Sequence, residues 1–254
     1  MTKKINLTAV ILTKNNQEEI KNCLDKLSFC DEIVVVDDYS SDKTVEIAEN
    51  LGAKVFQRKL DNDFSAQRNF GLEKASGRWV LFIDSDERVE EELAKEIAKF
   101  TNNFLNDFSG YSLIRKDYFL GKSLKSTEAG RKKILRLAQK EAGKWERFVH
   151  EEWKIKGKVG LLKNPLLHYP HKNLDDFISQ INFYSTLHAQ ANLKEGKRSN
   201  LFKIIFWPKA KFIENWIIKG GYKDGMYGFV ISLIMSFHSF LAWSKLWLWQ
   251  KSQK

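Results

Sequence analysis

The stretch that most constrains this chain is Trp79-Val80-Leu81-Phe82-Ile83-Asp84-Ser85-Asp86. An unbroken apolar run of this length suits a central strand of a parallel sheet, covered on both faces. A charged Asp-Ser-Asp at its carboxyl end falls where open α/β sheets place their ligand crevice. Carboxylates one residue apart on an irregular turn can both reach one hard divalent cation, Mg²⁺ or Mn²⁺, which keeps positions for water and phosphate oxygens. That suits chemistry on a diphosphate. The same residues also read as a helix start, with Ser85 or Asp86 as the N-cap of a helix over residues 89–100.

Upstream, strand and helix patterns alternate. Strands are expected over residues 7–12, 32–36, 54–57 and 79–83, and helices over 17–27, 44–51, 65–75 and 89–100. Gly52 fits the C′ position of its helix, and Gly77 closes another. Strands separated by helix-length segments imply right-handed βαβ crossovers and a parallel sheet. After Phe108 the pattern changes. Residues 110–115 and 133–137 read as extended strands flanking a loop over 121–130 rich in Lys, Ser and Gly, and 173–193 reads as helix. No internal repeat or low-complexity linker occurs, so a flexible two-domain architecture is not indicated.

The chain has 254 residues, enough to bury a sizeable core as one domain or one domain with an appendage. Its net charge of +10 implies anionic partners: nucleic acid, phosphorylated substrates or an anionic membrane surface. Of its cysteines, Cys23 shares an apolar helix stripe with Ile20, Leu24 and Leu27, as a structural thiol in a reducing compartment would. No Cys/His cluster suggests zinc. The opening Met-Thr-Lys-Lys-Ile-Asn lacks the apolar region of a signal peptide, so a cytoplasmic protein is expected.

A second strand end, Val34-Val35-Val36-Asp37-Asp38, also carries carboxylates. Asp38 can accept a hydrogen bond from a base N–H or a ribose hydroxyl; it can equally cap the next helix, as can Ser41 and Asp42. Arg68, at a helix start in Ser65-Ala66-Gln67-Arg68-Asn69, can hold a phosphate beside the helix N-terminus or be a surface arginine.

Four blocks occur in order: Ala9-Val10-Ile11-Leu12-Thr13-Lys14-Asn15, then Val-Val-Val-Asp-Asp-Tyr-Ser-Ser-Asp-Lys-Thr, then Ala66-Gln67-Arg68-Asn69-Phe70-Gly71, then Phe82-Ile83-Asp84-Ser85-Asp86-Glu87. Together they resemble the nucleotide-sugar half of glycosyltransferase family 2, the inverting GT-A glycosyltransferases. The resemblance implies that Thr13, Asp38, Arg68 and Asp84, with Ser85, line the nucleotide site. It implies that Asp86 is the principal metal ligand, joined by Asp84, for Mg²⁺ or Mn²⁺. Tyr39 departs from the small glycine common in that turn, which leaves the local backbone conformation open.

Trp145-Glu146-Arg147-Phe148-Val149-His150-Glu151-Glu152, then Leu166-Leu167-His168-Tyr169, then Gly220-Gly221-Tyr222-Lys223-Asp224-Gly225-Met226-Tyr227-Gly228 extend the likeness to nearly the whole chain. They resemble the branch that includes the lipopolysaccharide core β-1,4-glucosyltransferases, in which Val149-His150-Glu151 would sit on the acceptor side. The expected fold is a GT-A domain, Rossmann-like with a mostly parallel sheet flanked by helices, and a C-terminal helical, membrane-associating appendage. Residues 1–108 would form the nucleotide-sugar half, 109–195 the acceptor and catalytic half, and 196–254 the extension.

An inverting transfer is one in-line displacement at the anomeric carbon, and the attacking hydroxyl must lose its proton. A carboxylate within hydrogen-bond reach can take it; that role is assigned to Glu151. His150 would orient it or contact the donor phosphates. Glu152 is the adjacent competitor and on a strand would point the other way. A cation on Asp86, with Arg68, would stabilise the leaving nucleoside diphosphate. His168 is either a third metal ligand or a structural histidine. Arg131, Lys132 and Lys133 can meet phosphorylated sugar or be simply solvated.

Residues 226–243 contain no Asp, Glu, Lys or Arg, about the length that spans a bilayer. His238 and Ser232, Ser236, Ser239 and Ser244 argue against spanning. Trp243, Trp247 and Trp249 cluster beside Lys245 and Lys251 as interfacial anchors do. A helix lying in the membrane surface or packed on the catalytic domain is expected; a transmembrane helix and an oligomer interface are the alternatives.

The expected activity is transfer of a hexose, glucose first, from a nucleotide diphosphate sugar (a UDP-hexose) to a lipid-linked glycan such as lipopolysaccharide core, by a cytoplasmic enzyme peripheral on the inner membrane face. A nucleotidyltransferase uses a similar sheet-end metal site. A basic nucleic-acid-binding protein fits the charge, but no such motif occurs, and no G-x-G-x-x-G follows the first strand, as a dinucleotide oxidoreductase would have.

Overall fold

The computed structural model describes residues 5–103, 105, 107–126, 131–147, 151–170 and 173–252. The elements follow in the order β1 (Leu7–Thr13), α1 (Ile20–Asp25), β2 (Glu32–Asp37), α2 (Thr44–Asn50), β3 (Lys54–Gln57), α3 (Phe64–Lys74), β4 (Trp79–Asp84), β5 (Glu87–Arg88) and α4 (Glu91–Thr101). Then come β6 (Phe108–Phe119), β7 (Lys122–Ser123), β8 (Arg131–Gln139), β9 (Gly143–Glu146), β10 (Glu152–Ile155), β11 (Lys158–His168), α5 (Leu174–Lys194), α6 (Leu201–Ile213) and α7 (Met226–Ser252).

The main sheet runs β3-β2-β1-β4-β8-β6-β11-β5, with β7 paired to β6. Its first half is parallel: β1 pairs with β2 and β4, and β2 with β3. Strand β8 then joins β4 antiparallel, and β5 joins β11 antiparallel. The apolar runs of β1 and β4 are buried, Leu12 only partly, and their alternate residues feed two cores. Ala9, Ile11, Leu81 and Ile83 enter one with Leu93 and Ile97 of α4. Val10, Val80 and Phe82 enter the other with Leu72 of α3 and the indoles of Trp145 and Trp153.

The strand order reverses at β1, where β4 lies on the side opposite β2. Register sets Thr13 beside Asp37 and Leu12 beside Asp84, so the polar ends of β1, β2 and β4 meet at the carboxyl edge. Open α/β sheets bind ligands at that kind of switch point.

Two compact units emerge. The first comprises Met1–Arg115 with Lys132–His168, and the second Lys116–Arg131 with Tyr169–Lys254. In the second, α7 packs against both α5 and α6, over a core of Phe119, Leu124, Phe177, Ile181 and Ile231. Helix α7 is long and apolar enough, by length and composition, to cross a membrane. The Gly-Gly-Tyr-Lys-Asp-Gly turn before it uses left-handed backbone at Gly220 and Gly225, and the Asp224 carboxylate accepts from the backbone N–H groups of Lys125 and Ser126.

Candidate active site

The turn after β4 is not a helix cap. Helix α4 starts after Glu90, so Ser85 and Asp86 are free of that duty. Asp38 does not cap α2 either; Asp42 serves that helix start by accepting from the N–H and hydroxyl of Thr44. The Asp38 carboxylate instead accepts from Lys14 Nζ at 2.7 Å and from the Leu60 N–H at 2.9 Å. Tyr39 adopts φ +51°, so the left-handed conformation that a glycine would supply is held by a tyrosine, and its ring is exposed.

Arg68 is the hub. Buried on α3, it donates from Nε to Glu151 at 2.9 Å and from Nη2 to Asp84 at 3.0 Å. Its guanidinium lies over the Trp145 ring at 4.8 Å. The hairpin of β9 and β10 that carries Trp145 is clamped to α3, because the Asn69 amide exchanges both hydrogen bonds with the Trp145 backbone. Hence residues far apart in sequence, Arg68, Asp84 and Glu151, share one network. Glu152 lies elsewhere: it pairs with Arg147 in solvent. His150 lies outside the described residues.

Asp84 is also held by Arg136 of β8, at 2.6 Å. Burial alone would raise its pKa, but Arg136 and Arg68 outweigh it and hold the carboxyl well below the usual range. The sharing of one cation by Asp84 and Asp86 is therefore not the arrangement found: the Asp84 oxygens face guanidinium groups. Glu87 is fully buried, and that burial pushes its carboxyl up; it accepts from the Asp84 N–H at 2.9 Å, with Arg136 at 3.6 Å.

Asp86 remains partly exposed and stands 3.5 Å from His168 Nε2. The contact follows from topology. Strand β5 pairs with the end of β11, setting Glu87 opposite His168, and Arg88 ties the turn by donating to the carbonyls of Ser85 and Glu87 and to Glu19. Ser85 is buried and accepts from the Asn16 side chain. Among the described residues no group of three or more His, Cys, Asp or Glu side chains could hold a metal. A carboxylate with an imidazole still suits Mn²⁺ when phosphate oxygens complete the shell. Two further atoms fit an anionic nucleotide: among the described residues, Thr13 Oγ1 and Arg68 Nη1 are buried without hydrogen-bond partners.

Arg136 lies outside the quoted motifs, and Lys14 and Trp145 stand within them without an assigned role. The pattern Leu135-Arg136-Leu137, a charge within an apolar strand, was the available signal for the first.

This architecture is the GT-A fold, and the chain belongs to glycosyl transferase family 2, whose model it matches over residues 8–150. It is 28% identical to the lipopolysaccharide core biosynthesis glycosyltransferase LpsC of Rhizobium meliloti (strain 1021), covering 97% of this chain and 94% of that protein. It is 28% identical to the uncharacterized glycosyltransferase RT0209 of Rickettsia typhi, over 94% of this chain and 86% of that one. Among solved structures, the mannosyltransferase PcManGT of Pyrobaculum calidifontis, in complex with GDP-Man and Mn²⁺, superposes with a TM-score of 0.53 at 15% identity, covering 98% of this chain and 89% of that one. S. aureus TarS 1-349, in complex with UDP-GlcNAc, gives 0.50 at 16% identity, covering 96% and 93%.

Proposed function

We propose that this glycosyltransferase moves a hexose, glucose first, from a UDP-hexose to a sugar of a lipid-linked glycan such as lipopolysaccharide core, with inversion, at the cytoplasmic face of the membrane. The observation that carries the reading is the Arg68 network, which joins a candidate base, Glu151, to a strand-end carboxylate, Asp84, at the sheet's switch point. Likeness to LpsC over nearly the whole chain supports the glycan class.

In the proposed reaction the acceptor hydroxyl attacks the anomeric carbon as Glu151 takes its proton. The bond from that carbon to the diphosphate oxygen breaks, and the nucleoside diphosphate leaves with the electron pair. Arg68, whose Nη1 has no hydrogen-bond partner among the described residues, donates to that diphosphate. Thr13 and Asp38 line the nucleoside end, with Ser85 in the turn beside it. Asp86 and His168 would hold Mn²⁺ or Mg²⁺, which supplies neutralising charge to the leaving group.

Calorimetric titration of nucleoside diphosphates and their sugars, with and without Mn²⁺ or Mg²⁺, tests the donor site on wild type and Asp86→Ala. Metal-dependent binding of one nucleotide, lost in the variant, is the expected result. Absence of nucleotide binding by the folded protein sinks the assignment. Turnover that releases pyrophosphate instead of nucleoside diphosphate would make the protein a nucleotidyltransferase.

A further inference from the structure

Helix α6 has no buried residue, although its side chains are all apolar apart from Lys203, Pro208, Lys209 and Lys211. Phe202, Ile205, Phe206 and Ile213 stand open to solvent, Phe202 at 62% exposure. Helix α7 carries a matching exposed stripe, Met226, Phe229, Leu233, Phe237 and Phe240, at helical spacing of three and four. The stripes are continuous: the Phe229 ring meets Phe212 at 5.7 Å and Trp216 at 5.5 Å. A contiguous apolar surface of this kind on a folded protein marks an interaction site.

Its charges say what covers it. Lysines sit against its aromatic rings: Lys203 over Trp243 at 4.9 Å, Lys209 over Phe206 at 5.5 Å, and Lys223 over Tyr222 at 5.8 Å. Between residues 201 and 252 the acidic side chains are Glu214 and Asp224 alone. Glu214 is neutralised by Lys211 and Lys219, and Asp224 is turned onto the backbone of Lys125 and Ser126. Aromatic and aliphatic side chains rimmed by ammonium groups are the composition of an interfacial membrane anchor. A second copy on the same face would set Lys203, Lys209 and Lys223 against like charges across a two-fold axis; anionic headgroups neutralise them.

We infer that α6 and the exposed stripe of α7 form a docking surface for an anionic bilayer, entered shallowly with both helices lying in the plane of the interface. The polar attachments at the C-terminal end of α7 favour a helix packed on its neighbours over one that spans. Lys245 Nζ lies within 2.8 Å of Asn182 O and of the side-chain oxygens of Asn182, Ser185 and Thr186 on α5, which share its three N–H groups. Ser199 and Gln250 further tie α7 to the polar segment before α6. Moving α7 into hydrocarbon would carry those groups with it or strip them of partners.

The inference rests on the membrane-side placement proposed above and names its partner, and it is tested without donor or acceptor, so that either reading can fail alone. The full chain is sedimented with vesicles of phosphatidylglycerol and phosphatidylcholine in equal parts, and with phosphatidylcholine alone. Wild type binds the anionic vesicles, less as salt rises. Phe206→Glu with Phe237→Glu, at exposed sites, lowers partitioning by roughly tenfold or more. Lys203→Glu, Lys209→Glu and Lys223→Glu together abolish the preference for phosphatidylglycerol. Circular dichroism checks that each variant folds. Failure of wild type to bind anionic vesicles overturns the inference, as does binding that both variants retain. A dimer seen by light scattering and dissolved by the phenylalanine variant would assign the surface to a second copy instead.

Discussion

At Arg136 one buried guanidinium holds two carboxylates, Asp84 at 2.6 Å and Glu87 at 3.6 Å. Removing it would leave Asp84 with Arg68 alone and Glu87 with only the more distant Arg115 at 3.9 Å among the described residues, and breaking a buried ion pair typically costs about 3–5 kcal/mol. Arg136→Met is therefore expected to lose about that much in urea unfolding; a loss below ~1 kcal/mol would show that water or side-chain rearrangement solvates Asp84 and Glu87. A second residue prediction concerns Glu32. Burial works against its ionisation, but hydrogen bonds from Lys54, Thr8 and Ser76 prevail and bring its pKa down to about 2. A depressed carboxyl contributes stability that is complete above its unfolded value near 4.3 and is lost as pH falls toward the folded value. Wild type should thus lose on the order of 2 kcal/mol more than Glu32→Gln between pH 4.5 and 2. Parallel pH dependence of the two proteins would remove Glu32 from the acid transition. Neither partnership was legible beforehand. The charge within Leu135-Arg136-Leu137 marks an unusual strand position, but which carboxylates it meets is fixed only when β8 is paired with β4.

Elements were legible where physics is local. Strands β1, β2 and β4 matched their apolar runs because both sheet faces are covered. Helix α1 is shorter than the expected 17–27: it begins at Ile20, and after Asp25 the N–H groups of Lys26 and Leu27 bond three residues back and tighten the chain. Gly77 does not close α3, which ends in extended backbone at Ala75; a Cβ at Gly77 would lie 2.8 Å from the Thr8 nitrogen, so close approach to β1 is its role. Gly71 has a similar function for α3 itself. A Cβ there would stand 2.5 Å from Val10 Cγ1 and 3.1 Å from Val36 Cγ2. Alanine gains about 1 kcal/mol in helix propensity over glycine, whereas overpacking costs about 1–3 kcal/mol. Gly71→Ala should be destabilised by about 1 kcal/mol net, and Val10→Ala added to it should be less harmful than on wild type. A stabilised single variant would mean that the sheet yields to α3 at no cost. The network of Arg68, Asp84 and Glu151 depends on this seat, because α3 carries Arg68.

At the scale of the molecule, chain order and compactness part ways. Residues 116–131 group with 169–254 because Asp224 holds the backbone of Lys125 and Ser126, a pairing across a hundred residues that no local pattern announces. The resemblance in the sequence had indicated the GT-A fold and the strand-end residues, since those lie within single βα segments. Each unit has its own core: the first has two, on opposite sheet faces, and the second has the cluster around Phe119 and Ile231. Separate cores imply separable unfolding. The proposed donor site lies wholly within the first unit, so its ligand should stabilise that unit alone. A ligand at a hundred times its Kd adds about 2.7 kcal/mol to the state that binds it. Scanning calorimetry with UDP and Mn²⁺ is expected to raise one transition and leave the other in place. Asp224→Ala, which removes the anchor of the 121–126 segment, identifies the other by lowering it. If nucleotide moves the Asp224-sensitive transition, the donor assignment to the first unit falls. If a single transition responds to both, the expectation of separable unfolding falls.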